Sequence, residues 1–309
     1  MNVNIRTDLA LEINENVDQS DSRYKGIIVN EIVDDKTQIK VTVLEIINKN
    51  GEKILNRPMG AYITIEAEEL GCADEEYGTR LKEILSHHIE ELIKPYTGDK
   101  KDILVVGLGN REVTADSLGP DVIDRLGINN HLRDEADDEM RITAICPGVM
   151  AQTGMETADI IKGVVKITKP SVVIAIDALA ARNADRLNTT IQLSDRGINP
   201  GSGVGNHRVG ITKENIGVPV IAIGVPTVID APTIVYDAID TFLKSLSEVE
   251  GLEGFEGIME LYTEDEKYAL AKEVVSPTMA EMYVTPKDID CNVQVIGSII
   301  ADSINYIAG

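Results

Sequence analysis

From residue 102 onward, short runs of branched aliphatic residues alternate with longer stretches whose apolar positions recur every three or four residues. That alternation limits the chain more than any other feature. Asp102–Val106, Arg141–Ile145, Ser171–Ile176, Asn188–Leu193 and Val218–Ile223 read as strands. Between and after them lie helical patterns starting near Gly119-Pro120 and spanning Gly154–Thr168, Ala231–Leu246 and Asn292–Ile307. Strands in such a series pair into a largely parallel or mixed sheet, and the helices cover both of its faces. The composition agrees: 43% of residues are hydrophobic and only 4% aromatic, with no Trp and two Phe. Ile, Val, Leu and Ala therefore supply the core, as in buried strands flanked by helices.

The N-terminal part has a different pattern. Gly26–Val33 and Gln38–Ile47 read as strands joined by an Asp34-Asp35-Lys36-Thr37 turn. Asn50-Gly51 is a second turn signal, and Ala61–Ile65 a third strand. These form a small antiparallel subsheet. Thr79–Tyr96 follows as an amphipathic helix ended by Pro95.

Charge and cysteine usage narrow the class of partner. Fifty-two acidic and 29 basic residues leave a net charge of −23. That field repels phosphate backbones and anionic lipid, so neither nucleic acid nor a membrane surface is an expected partner. Cys72, Cys146 and Cys291 are widely spaced, odd in number and lack a CxxC pair. The first residues, MNVNIRTDLALEINEN, carry no basic-then-apolar leader, and no 18-residue apolar run is present. The expectation is a cytoplasmic chain.

In sheets of this kind, ligands sit beyond the carboxyl ends of the strands. That rule selects Gly107–Gly119, Asp177–Arg182 and Gly224–Asp230. Gly107-Leu108-Gly109-Asn110 begins like a dinucleotide loop, but Glu112 stands where the third glycine belongs, and no phosphate-binding GxxxxGK[ST] loop exists. Asp116 lies between the first central strand and its helix, where an aspartate can also simply cap a turn. Asp177 ends the apolar run Val172–Ile176, a poorly solvated place that raises a carboxyl pKa. Two such carboxyls at neighbouring strand ends can share a proton, one acting as base and the other as acid.

Pro200-Gly201-Ser202-Gly203-Val204-Gly205-Asn206 is the densest glycine run. Its glycines flank Ser202 directly, unlike a GxSxG nucleophile elbow. It reads as a loop that approaches substrate or donates amides to an oxyanion, and Gly109 and Asn110 are candidates for the same work. Of the four histidines, His87 and His88 lie on a Glu-rich helix without HExxH and His131 in the acidic stretch 129–139. His207 follows the glycine run. Asp116, Asp177 and His207 together form the alternative, a metal-dependent hydrolase site. The Gly- and Glu-rich stretch Val249–Thr263 reads as an excursion from the domain.

Six blocks in order resemble one family. They are Arg6–Ala10, Gly107–Asn110, Val113–Pro120, Ala175–Arg182, Pro200–Asn206 and Val225–Ala231. Together they resemble the germination proteases of spore-forming bacteria over essentially the whole chain. The resemblance implies a phosphorylase/hydrolase-like fold, distantly similar to hydrogenase maturation proteases, some of which bind a metal through acidic and His ligands. It implies an atypical aspartic endopeptidase with Asp116 and Asp177 as its pair and no cofactor or metal of its own. It implies small acid-soluble spore proteins as substrates, a homotetramer, and a place in the forespore and spore core. It also implies a zymogen. Family substrates are cut after an acidic residue that follows Thr and precedes a large apolar residue and Ala, and Thr7-Asp8-Leu9-Ala10 copies that pattern. The expectation is self-cleavage at Asp8–Leu9, releasing residues 1–8 and leaving 9–309 as one protease domain. A group titrating between neutrality and mild acid, a raised aspartate or His207, would make that step respond to pH.

Overall fold

A computed structural model of the chain describes residues 26–98, 102–129, 140–201, 208–247 and 264–309. Asp8 and Leu9, the acidic stretch at 131–139 with His131, the loop residues Ser202, Gly203, Gly205 and Asn206 with His207, and the whole 249–263 excursion lie outside the described residues.

The apolar runs pair as their composition requires. Strands β1 (Ile27–Val33), β2 (Lys40–Ile46) and β3 (Gly60–Glu66) form an antiparallel meander. The central strands are β4 (Asp102–Gly107), β5 (Arg141–Ile145), β6 (Val172–Ala181), β7 (Thr190–Ser194) and β8 (Val220–Asp230). All belong to one nine-stranded sheet in the order β1-β2-β3-β7-β8-β6-β4-β5, with the two-residue β9 (Tyr283–Val284) on the far end of β8. Strands β8, β6, β4 and β5 are mutually parallel, whereas β7 runs antiparallel to both of its neighbours. The expected α/β class with a mixed sheet is therefore present. The N-terminal subsheet is an extension of the central sheet, joined through the β3–β7 pairing.

The helices are α1 (Lys49–Leu55), α2 (Glu75–Ile93), α3 (Leu118–Arg125), α4 (Met150–Thr153), α5 (Thr157–Thr168), α6 (Lys213–Ile216), α7 (Ala231–Ser247), α8 (Glu264–Val274) and α9 (Ile289–Ala308). Side-chain alternation along the strands builds a core on each face. Ile103, Val105, Ile174, Ile176, Ile221 and Ile223 face α2, α3 and α9. Leu104, Val106, Val173, Ala175 and Val220 face the other way, toward Ala158, Ile161 and Val165 of α5. Helix α2 starts at Asp74, whose carboxylate accepts from the Tyr77 amide at 2.9 Å. His88 of α2 is buried, which holds its pKa below the ordinary histidine value, in keeping with a structural place on that helix.

Several local expectations are corrected. Asn50-Gly51 is no hairpin turn. The Asn48 side chain accepts from both of their amides and starts α1 there. The helix expected over Gly154–Thr168 begins three residues later, at Thr157, because Gly154 takes a left-handed conformation, φ 70°, that closes the short α4 before it. Asp177 does not end its strand. β6 runs on to Ala181 and β8 to Asp230, paired across a register shift between Leu179 and Ala180. Among the described residues, no helix is long and apolar enough to cross a membrane.

Candidate active site

β4 stops at Gly107 while β6 beside it and β8 beyond β6 continue, so a hollow opens at the carboxyl end of the parallel strands. The loop that leaves β4 folds over this hollow. Its return into α3 depends on two glycines: a methyl on Gly107 would lie 2.4 Å from the Gly119 carbonyl oxygen, and one on Gly119 would lie 2.3 Å from that of Leu108. The close approach that a third glycine gives in a dinucleotide loop is thus provided here by Gly119, outside the GxGxxG spacing. The resulting cavity holds about 290 Å³. Asp116, Asp177, Gly109, Leu179, Arg208 and Thr227 are among its walls.

Asp116 closes a 3-10 turn, Thr114–Asp116, and is held from two sides. The Asn110 amide donates to its Oδ2 at 2.9 Å and to its backbone carbonyl at 3.0 Å. From β8, the Thr227 hydroxyl donates to the Ala115 carbonyl at 2.6 Å, and the Thr285 hydroxyl donates to the Thr227 carbonyl at 2.7 Å. Asp116 is not the N-cap of α3; that place belongs to Ser117, whose side chain makes no capping bond. Burial pushes the Asp116 carboxyl up to about 6, outweighing the Asn110 hydrogen bond and the positive charge of Arg208, which both act downward.

Asp177 reaches the same cavity from mid-strand. Ile176 before it and Ala178 after it belong to the opposite face, so alternation turns Asp177 toward the α5 side. The residue is buried, and its Oδ1 accepts from the Ala178 amide at 3.0 Å. Gly224 pairs with it on β8. A side chain at Gly224 would strike Leu179, which forms part of the cavity wall.

The two aspartates singled out from the sequence therefore share one cavity, although one stands on a loop and the other within a strand. Gly109 lines it as well, with φ 107°. Asn110 sits behind the wall. Its amide is committed to Asp116, and its side-chain oxygen accepts from the Glu112 amide and from the Gln152 side chain at 2.8 Å. Of the glycine run, Pro200 and Gly201 line the cavity. Arg208 and Thr227 were not singled out from the sequence. Arg208 could have been found as the first charged residue after the glycine run, behind His207; Thr227 lies in the selected segment Gly224–Asp230, but a hydroxyl within an apolar strand does not stand out there.

The cavity's described residues do not suit a metal ion. They offer the two carboxylates of Asp116 and Asp177, each already accepting a backbone amide, but no His or Cys, and a bound transition metal needs three or four donors; His207, the third member of the metal alternative, lies outside the described residues. Among the described residues, the one cluster with metal-ligand spacing is His87, His88 and Glu91 on α2. The three cysteines are unpaired.

Fold and cavity define an α/β protein with two carboxyls at the end of its central parallel strands. Comparison with known proteins narrows this to a peptidase. The model of the germination protease family matches residues 4–251. The germination protease of Caldanaerobacter subterraneus subsp. tengcongensis is 46% identical, over 97% of this chain and 93% of that one. Those of Clostridium tetani and Priestia megaterium are 40% and 37% identical, over 98% and 97% of this chain and 95% and 92% of theirs. Among solved structures, a NiFe hydrogenase maturation protease, HycI from Thermococcus kodakarensis KOD1, aligns with 45% of this chain and 80% of its own at a TM-score of 0.30 and 20% identity. The chain belongs to the germination protease family, as its six motif blocks implied.

Proposed function

We propose that this peptidase degrades small acid-soluble spore proteins during germination, and that Asp116 and Asp177 perform the hydrolysis. The observation that carries the reading is the convergence of both carboxyls on one cavity, with Asp116 raised to about 6 by burial. In this reading the two carboxyls hold one proton between them as pH falls toward 6, where Asp116 is half in its acid form. The member in carboxylate form takes a proton from water as the water oxygen attacks the carbonyl carbon of the peptide bond. The member in acid form gives its proton to the leaving nitrogen as the C–N bond breaks. The pair again holds one proton at the end of the cycle. Gly109 lines the cavity and its amide donates to no described residue, so it is the candidate donor to the oxyanion that forms between these steps.

The substrate reading is a cut after an acidic residue in a Thr-Glu/Asp-apolar-Ala context. Thr7-Asp8-Leu9-Ala10 fits that context, and supports maturation of a zymogen by self-cleavage at Asp8–Leu9, leaving residues 9–309 as a single protease domain. The enzyme is read as a homotetramer of the forespore and spore core. Incubating matured protein with a Thr-Glu-Ile-Ala peptide, with and without a chelator, tests the reading. It requires cleavage after Glu at a rate the chelator leaves unchanged. Cleavage elsewhere in the peptide, or its abolition by chelation, contradicts it.

A further inference from the structure

The cavity combines two carboxyls, mostly apolar walls and, among its described residues, a single cation, Arg208. Arg208 is half-buried and makes no hydrogen bond or ion pair with a described residue. Its charge is nevertheless felt at Asp116. The backbone beside it is fixed: the Val209 amide donates to Glu156 Oε1 at 3.1 Å at the start of α5, and Ile211 bridges to Ile198 in both directions. Most arginines elsewhere in this strongly acidic chain are engaged, as in the pairs Arg80–Asp34, Arg125–Asp121 and Arg182–Asp237. An uncommitted guanidinium beside a reacting pair presents a planar set of donors suited to a carboxylate. A cavity with two acidic groups in a chain of net charge −23 otherwise repels an acidic side chain.

We propose that Arg208 is the carboxylate-binding subsite of this peptidase, holding the acidic side chain of the residue whose carbonyl is attacked. The assignment rests on the aspartate-pair reading above and adds to it the residue that selects the substrate. Arg208 thus acts in specificity, with proton transfer left to Asp116 and Asp177.

The experiment compares kcat/KM for two peptides, Thr-Glu-Ile-Ala and Thr-Gln-Ile-Ala, on matured wild type, Arg208→Gln and Arg208→Lys. Both peptides meet the same aspartate pair, so the Glu-over-Gln ratio cancels any change that the substitution makes in Asp116 ionisation. Wild type is expected to prefer Glu by about a hundredfold, the scale of a charge-assisted pair in a sheltered site. In Arg208→Gln the ratio falls to within a few-fold of one. In Arg208→Lys, which keeps the charge but not the fork, it falls to an intermediate value. If wild type discriminates and Arg208→Gln discriminates equally, or if both peptides slow by the same factor, Arg208 is not the subsite although the protease reading stands. If wild type cuts neither peptide, or shows no preference for Glu, the substrate reading itself fails and the subsite with it.

Discussion

The backbone amide of Asn110 donates at once to the carboxylate of Asp116, at 2.9 Å, and to its main-chain carbonyl, at 3.0 Å. One N–H group thereby fixes both the turn that carries Asp116 and the direction of its carboxyl. The same bond favours the ionised form, yet burial prevails and the carboxyl titrates near 6. A group so held is oriented before substrate arrives and still changes protonation close to neutral pH.

Gly109 allows this arrangement. It has φ 107°, and a methyl on its α-carbon would stand 2.0 Å from the Asp116 carbonyl oxygen. Gly109→Ala is expected to displace the Asp116 turn. It should lower stability by about 1–3 kcal/mol, the range for a strained backbone position, and slow peptide cleavage at least tenfold. Thermal unfolding and peptide kinetics on one preparation check both effects. A variant with wild-type stability and rate would mean that the turn does not depend on this approach.

The raised pKa of Asp116 also makes a statement about stability. Its value of about 6 lies above the ordinary 3.8, because burial favours the acid form. The stabilisation from this group is complete below pH 4 and is lost as pH rises through 6, so the ionised carboxyl is a cost at pH 8. Asp116→Asn is neutral at every pH and keeps an oxygen for the Asn110 amide. It should match wild type at pH 4 and exceed it at pH 8 by about 1–2 kcal/mol, less than the full shift because water reaches the cavity. Denaturant unfolding at the two pH values measures the difference; equal stability at both would place the Asp116 carboxyl near its ordinary pKa.

The same titration governs maturation. If self-cleavage at Asp8–Leu9 needs the aspartate pair to hold one proton, its rate should rise as pH falls from 7.5 through about 6. Following release of residues 1–8 by mass spectrometry across that range checks this. A flat rate, or a new N-terminus other than Leu9, would contradict the maturation scheme.

Much of this architecture was legible because apolar runs and their spacing encode burial directly. The central strands, the long helices and both cavity aspartates follow from that pattern. Asp177 shows where the reading stopped short. A charged residue after Val172–Ile176 looks like a strand end, but pairing with β8 carries β6 four residues further. The polar side chain is accommodated because the cavity lies on its face of the sheet. Asn50-Gly51 misled for a related reason: the same residues serve a turn or a helix start, and the Asn48 side chain decides between them. Arg208 was invisible as a site residue, and Thr227 did not stand out within the selected segment Gly224–Asp230, because their contribution depends on distant segments brought together by the sheet.

The most direct test of the aspartate pair is the rate of Thr-Glu-Ile-Ala cleavage by Asp177→Asn, measured beside its thermal unfolding. Removing one half of an acid–base pair should cost about a thousandfold or more in kcat, while the isosteric side chain leaves the fold intact. A folded Asp177→Asn protein that cleaves within tenfold of wild type would show that the hydrolysis does not run through Asp177.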